Sequence, residues 1–447
     1  MSKSLFRVKY ETKVFNSINQ LRFFVDELIF SKAFQKTGVV FTGNIIASGF
    51  SLITILLLSR TLGPETFGML SLVGSVIILM VSLTDLGIAV GISKFVVPLN
   101  DKSSKKAVSY FRTAFWIEIL LGFATILVGL IFLDSIVYWL GGIQIKGPLV
   151  LGFIIAGILS FYAYIPIVLQ ALQKFWTITF LNVFSNLLKL IIVATLFYTG
   201  YLTLWNALYV NLFAALTILL VGLLVIPRFF LKKINWREDV SSAAKLFSFT
   251  KWLAISYGLN AVASRLDILL LSHFRSSAEV GHYALAFQLS SSLPLLLGAV
   301  STVLIPKVSA YKTQDQLGKY ILKNAKSALL IIPLAFIGMI IAPWVIQAFF
   351  GSKFVSSVPV LQILILNYSL ILIVNPVSYV LYALEKQYLL TFMNAVTLIT
   401  LFAMQIFLIP NLGGIGAALA LLFNTIIAIL ILTPILILFF KQGKIRI

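Results

Sequence analysis

In RLDILLLSHF, residues 265–274, an arginine and an aspartate stand one residue apart inside an otherwise apolar stretch. Hydrocarbon disfavours each such charge by roughly 2.5 to 3.5 kcal/mol on insertion scales, so intramembrane charges mark a pathway or a partner. On a continuous helix residues two apart point about 200° away from each other, so Arg265 and Asp267 need separate environments. Lys189 is the other deep cation. It sits 14 residues beyond the start of its apolar run at residue 175, and Arg265 sits the same 14 residues beyond Lys251. Two cations at one depth could flank a cavity and hold a diphosphate through charge-assisted hydrogen bonds. Arginine would offer a fork and lysine a point charge. The alternatives are a structural ion pair for Arg265, and snorkelling or a pair with Glu118 for Lys189.

Other polar groups fall inside apolar runs. Asp267, Asp85 and Glu118 are candidates for gating or ion coupling, because a carboxylate in low dielectric can take and release a proton as its surroundings change. A proton, sodium or no ion at all fits these residues equally. Arg60 and Arg275 end two equivalent apolar runs and read either as outer-end cations that attract an anionic headgroup or as interfacial anchors. Asn44, Asn182, Asn186, Asn260, Gln170 and Gln288 read as cavity lining for sugar hydroxyls or as helix-to-helix hydrogen bonds. His273 and His282 have no second histidine or acid at metal-ligand spacing, so no metal site and no cofactor is expected.

The elements that position these groups follow from composition. Of 447 residues 60% are hydrophobic and 11% charged, with a mean hydropathy of +1.05, against about 25% charged in soluble domains. The expectation is an all-α polytopic membrane protein with twelve spans near the roughly 20 residues a crossing needs. These are 38–58, 66–91, 108–133, 147–170, 175–199 and 203–227, then 251–272, 280–306, 325–349, 358–383, 387–409 and 415–440. The N-terminus, the even-numbered loops and the C-terminus carry 27 of the 34 lysines and arginines, and the odd-numbered loops carry 4. The positive-inside rule then puts both termini in the cytoplasm of a multi-pass protein of the plasma or inner membrane. The net charge of +20 belongs to these loops and calls for no nucleic acid. Cysteine is absent, and no cleaved signal peptide is expected. Residues 14–34 space apolar side chains as a helix lying on the membrane surface would.

The chain also repeats itself. LLLSRTLGPETFGMLSL, 56–72, lies over LLLSHFRSSAEVGHYAL, 269–285, without a gap. Ser59 meets Ser272, Gly68 meets Gly281 and Leu72 meets Leu285. An even number of spans separates the copies, so the halves share one orientation. That is a parallel repeat with a cavity at the interface of two six-helix lobes. The lobes are 38–227 and 251–440, after a segment 1–37, around a linker 228–250 and before a tail 441–447.

The pieces SRTLGPETFGMLSL (59–72), LTDLGIAVGISKF (83–95), LQALQKF (169–175), RLDILLLSHFRSSAEVGHYALAFQL (265–289) and IPNLGGIGAALAL (409–421) give the chain its likeness. It resembles the Wzx-type flippases of O-antigen and other oligosaccharides, in the multidrug/oligosaccharidyl-lipid/polysaccharide exporter superfamily. The resemblance implies a MATE-like, two-lobed transporter that flips a polyprenyl-diphosphate-linked oligosaccharide to the outer leaflet by alternating access. It also implies membrane lipids and the polysaccharide polymerase machinery as partners, with a monomer sufficient. Aspartates at the places of Asp267 and Asp85 fit the family pattern. Lipid II flippases of this superfamily usually have two further helices, which are not expected here. A cation-coupled drug antiporter of the MATE kind is the alternative, and its cavity should be acidic. An enzyme would need acids, bases and donors gathered on a substantial outer loop, and these loops are short. No phosphate-loop motif points to ATP.

Overall fold

Backbone amides find no partner in hydrocarbon, so long apolar runs must satisfy their hydrogen bonds within helices. The computed structural model describes residues 32–99, 101, 104–227, 236–293, 304, 307–309, 311, 313–384 and 386–441, and these contain helices and turns with no strand. In chain order the helices are α1 (Lys32–Thr84), α2 (Ile88–Val96), α3 (Lys105–Ile131), α4 (Leu133–Leu140), α5 (Lys146–Ala171), α6 (Phe175–Tyr198) and α7 (Leu204–Val225). The second half has α8 (Trp236–Ala263), α9 (Leu266–Phe274), α10 (Ser277–Ser290), α11 (Gln314–Val345), α12 (Val358–Ser378), α13 (Val380–Ala383) and α14 (Gln387–Lys441). Ser104, Thr203, Ser276 and Thr313 begin α3, α7, α10 and α11 by accepting an otherwise orphaned backbone N–H.

Among the described residues eight helical stretches are long and apolar enough to cross a membrane, and nine when the bent pair α8–α9 counts as one. Two of them are far longer than a crossing needs, 59 residues at Gly38–Val96 and 51 at Leu389–Phe439. Each is interrupted by a glycine outside helical geometry: Gly63 at φ 69° and ψ 175°, Gly413 at φ 56° and ψ −131°. Side chains from the neighbouring helix hold the second interruption. Arg275 donates to the carbonyls of Ile409 and Pro410, and the Glu279 carboxylate accepts from the amide of Gly414 at 3.0 Å. A cation thus meets the carbonyl end of one limb and an anion the amide end of the next, as the helix dipole favours.

Three expectations change or fall outside this description. The segment expected at 228–250 as a linker is helical from Trp236 onward, because its polar face finds partners on α3. The surface helix expected at 14–34 lies almost wholly outside the described residues, as does the tail beyond Lys441. The eighth expected span, 280–306, is described as helix up to Ser290, and Pro294 and Gly298 lie outside.

Packing pairs α1 with α6, α3 with α5 and α5 with α7 in the first half, and α11 with α12 and α12 with α14 in the second. Between the halves α1 packs along α10. At its closest point backbone meets backbone. A Cβ added at Gly68 would fall 1.8 Å from the Ser277 carbonyl oxygen, and one added at Gly281 would fall 2.0 Å from the Pro64 carbonyl oxygen. Small residues let helices approach to backbone contact in a membrane.

Gly68→Ala and Gly281→Ala should therefore each lower the thermal midpoint in detergent, by an overpacking cost of about 1–3 kcal/mol or more. Gly49→Ala, whose added methyl meets nothing within 4 Å, should leave the midpoint unchanged in the same melting experiment.

Candidate functional site

Just beyond the glycine crossing the two helices separate and leave a cavity of about 290 Å³. From α1 it receives Ile55, Ser71, Gly74 and Ser75, and from α9 and α10 it receives Ile268, Ala284, Phe287 and Gln288. These form four pairs in the register of the sequence repeat: 55 with 268, 71 with 284, 74 with 287 and 75 with 288. Lys189 and Ser185 enter from α6, Asn211 from α7, and Arg265 from the junction of α8 and α9. Among the described residues no carboxylate lines this space.

Arg265 lines the cavity at a point where the chain is not helical. It stands at φ −130° and ψ 0° between two helices bent by 42°, whereas the sequence alone predicts an unbroken span from 251 to 272. Its guanidinium carbon lies 5.6 Å from the Phe287 ring centroid, within cation–π range. Among the described residues its Nε has no hydrogen-bond partner, and neither has Oε1 of Gln288 in the same cavity. Neither Arg265 nor Lys189 forms an ion pair among the described residues. Two cations that form no ion pair among the described residues thus line one space, with a buried, unpartnered donor and acceptor in its wall, an arrangement suited to an anion that carries hydrogen-bonding groups.

Asp267 does not face the cavity. It is 3% exposed, accepts from the Tyr283 hydroxyl at 2.5 Å and from the Ile268 amide at 2.8 Å, and is near enough to Arg265 for their charges to interact. Asn44, Asn182 and Asn186 do not line the cavity either. Asn182 donates to Asn44 Oδ1 at 3.0 Å and Asn186 donates to Asn182, so the three amides bind α1 to α6. Asn182 and Asn186 are one turn apart and turn towards α1, while Ser185 and Lys189 on the same helix turn inward. Asn260 donates to the Ser256 carbonyl and shares a separate cleft with Ser82, Asp85, Tyr257 and Ala261. Gln170 is exposed at the end of α5.

Asp85 accepts from the Gly87 amide at 3.1 Å in the break between α1 and α2. Glu118 is 2% exposed with Oε2 unpartnered among the described residues, and the Asp85 charge acts on it. It makes no ion pair with Lys189. Arg60 donates to the Ala348 carbonyl at 3.2 Å, and Arg275 is taken up by the Gly413 interruption. His273 stacks on Trp139 and bonds its carbonyl, while His282 meets Ser357.

Sequence reading missed one polar centre. Arg112 on α3 holds Asp239 on α8 through Nε at 2.7 Å and Nη2 at 2.6 Å, with Ser109 as a further donor to the same carboxylate. Nearby, the Lys94 ammonium sits 3.7 Å from the Phe249 ring centroid, and Gly91 lets Leu246 and Thr250 close in. Arg112 was visible as a cation within an apolar run, and an acid such as Asp239 in WRED was the available signal.

The comparisons with known proteins agree with this architecture. A family model described as a polysaccharide biosynthesis protein matches residues 33–312. A protein of Haloferax volcanii described as "Probable low-salt glycan biosynthesis flippase Agl15" is 26% identical over 209 residues, which are 45% of this chain and 44% of that protein. The chain thus spans less than half the length of this curated relative. Among solved structures, lipid II flippase MurJ in an inward closed conformation superposes with a TM-score of 0.73 at 15% identity, over 88% of this chain and 86% of that one. An inward-facing multidrug resistance MATE family transporter gives 0.68 at 14% identity, over 89% and 96%. At these identities the likeness is one of fold, and it is MATE-like and all-α.

Arg112 and Asp239 have side chains only 3% and 15% exposed, and removing one partner of a buried pair costs about 3–5 kcal/mol. Arg112→Ala or Asp239→Ala should accordingly lower the thermal midpoint sharply. The double variant Arg112→Met/Asp239→Leu should recover most of the loss in the same melting series.

Proposed function

The chain belongs to the polysaccharide biosynthesis protein family, and from that premise we propose that it is a flippase for a polyprenyl-diphosphate-linked oligosaccharide. It carries the headgroup from the cytoplasmic to the outer leaflet of the cell membrane by alternating access. The observation that carries this reading is the convergence of Lys189 and Arg265 on one cavity with no carboxylate among its described lining. A diphosphate neutralises both cations, and Gln288, whose Oε1 is unpartnered among the described residues, serves sugar hydroxyls with Ser71, Ser75, Ser185 and Asn211.

Alternating access needs two bodies that rock about a shared site. We read α1 up to Gly63 through α7 as six crossings and α8 through α14 as six more, with the lobes at 38–227 and 251–440. The reciprocal contacts of Gly68 and Gly281 support a two-fold relation between them, as do the four lining pairs in the repeat register. Gly200 and Gly413, a pair in that same register, both adopt positive φ at matching turns. Both termini face the cytoplasm in this reading, and the Arg112–Asp239 pair closes the cytoplasmic side. Asp85 and Glu118 are the groups best placed for ion coupling by a proton or sodium, since they interact beside a helix break. Arg60 and Arg275 stabilise the outer ends. A monomer suffices, and the flipped product is handed to polysaccharide polymerase machinery.

The alternative, a cation-coupled drug antiporter of the MATE kind, shares the fold but calls for acids where this cavity has Lys189 and Arg265.

The test is transbilayer movement of a fluorescent polyprenyl diphosphate oligosaccharide in proteoliposomes. Arg265→Ala and Lys189→Ala should each slow it about tenfold or more, since a hydrogen bond to a charged group is worth about 1.5–3 kcal/mol. Unchanged rates in both folded variants would remove the cavity from the mechanism. Absence of movement by the wild type with every glycolipid, alongside export of a cationic dye, would favour the antiporter.

A further inference from the structure

Arg265 lines the cavity at the point where the chain is broken, and the helices on either side do not enforce the break by sequence. No proline or glycine lies between Asn260 and Phe274. Residues of the α8–α9 junction are alanine, valine, serine, leucine and isoleucine, which fit a straight apolar helix. In an unbroken helix α9 would continue the axis of α8 instead of bending from it by 42°. The cause of the break must come from tertiary contacts.

We propose that Tyr283 is a positioning residue for Arg265: acting through Asp267, its hydroxyl holds the helix break that turns the guanidinium into the cavity. The proposal rests on the reading of that cavity as a diphosphate site.

A helix that starts in the middle of a membrane exposes amides that have no intrahelical partner. Asp267, in the first turn of α9, supplies one: its Oδ1 accepts from the Ile268 amide at 2.8 Å. The carboxylate also suits the positive end of the helix dipole. Asp267 can do this only while its own charge is satisfied, since a buried anion without hydrogen bonds is strongly disfavoured. Tyr283, 0% exposed, gives its hydroxyl to Oδ2. Tyr283 is itself fixed, two residues after Gly281 in the backbone crossing with α1.

The contacts then close into a ring. The Tyr283 ring stacks on Phe287 one turn later, with centroids 6.1 Å apart, and Phe287 carries the Arg265 guanidinium on its face. Arg265, Asp267, Tyr283 and Phe287 therefore orient one another. The outcome is a guanidinium held at the wall of the cavity, its Nε buried and unpartnered among the described residues. An intact crossing between the halves is thereby transmitted to the side chain that meets the ligand.

The experiment is a double-mutant cycle on the full chain in lipid nanodiscs, with inorganic diphosphate as the probe and calorimetric affinity as the readout. Tyr283→Phe should weaken diphosphate binding about fivefold where Arg265 is present, which is the scale of one lost hydrogen bond. It should add nothing in the Arg265→Ala background. Asp267→Asn, which keeps the side-chain shape, should give the same coupling and provides a second route should Tyr283→Phe not fold, as judged by its melting curve. Unchanged binding in Tyr283→Phe and Asp267→Asn, with binding weakened by Arg265→Ala, would overturn the clamp and leave the cavity reading intact. Equal weakening with and without Arg265 would also overturn it, by making Tyr283 a general structural residue. Unchanged binding in Arg265→Ala would overturn the cavity reading and the clamp together.

Discussion

The backbone contact at Gly68 and Gly281 is the constraint on which the rest of the structure depends. Two helices from opposite halves meet there with carbonyl oxygens where side chains would be, so their separation is fixed by atoms that cannot rotate away. The cavity begins within a turn of this point on each helix, at Phe67 and Leu70 on one side and at Ala284 on the other. Its walls diverge from a common vertex. Tyr283 and Phe287 leave the same vertex and reach Arg265, which makes the placement of the cation a consequence of the crossing.

Charge explains the contents of the cavity. Hydrocarbon tolerates ionised groups when they are paired or reach water, and most described charges meet that condition. Arg112 has Asp239, Lys319 has Asp315, Lys146 has Asp134, and Arg275 has carbonyls and Glu279. Lys189 and Arg265 have no such ion pair among the described residues. Two like charges lining one small space repel one another, and an anion with several oxygens relieves both. The cavity thus gains most from a ligand with concentrated negative charge. A cationic drug would meet the opposite field.

Much of this was legible in the sequence, and the limits are physical. Apolar runs reveal crossings because their length is set by the bilayer. The ungapped matches of Ser59 and Gly68 with Ser272 and Gly281 suggested a repeat register, and the contact of Gly68 with the start of α10 and of Gly281 with α1 is consistent with it. Counting suggested that Lys189 and Arg265 share a depth, and both line one cavity. What periodicity does not carry is the identity of a hydrogen-bond partner on another helix. Asn44, Asn182 and Asn186 are suited to sugars or to each other by composition, and only the facing of α1 and α6 selects the latter. The break at Arg265 depends on a tyrosine on the next helix. The start of α8 depends on Arg112, which lies 127 residues before Asp239.

The central claim is that one anionic group bridges cations from the two halves. A structure of the full chain in a lipid nanodisc with a bound polyprenyl diphosphate sugar tests it most directly. The account predicts the diphosphate between the Lys189 ammonium and the Arg265 guanidinium, within hydrogen-bond distance of both and beside Gln288. A diphosphate held elsewhere, with Lys189 and Arg265 left facing each other, would contradict it.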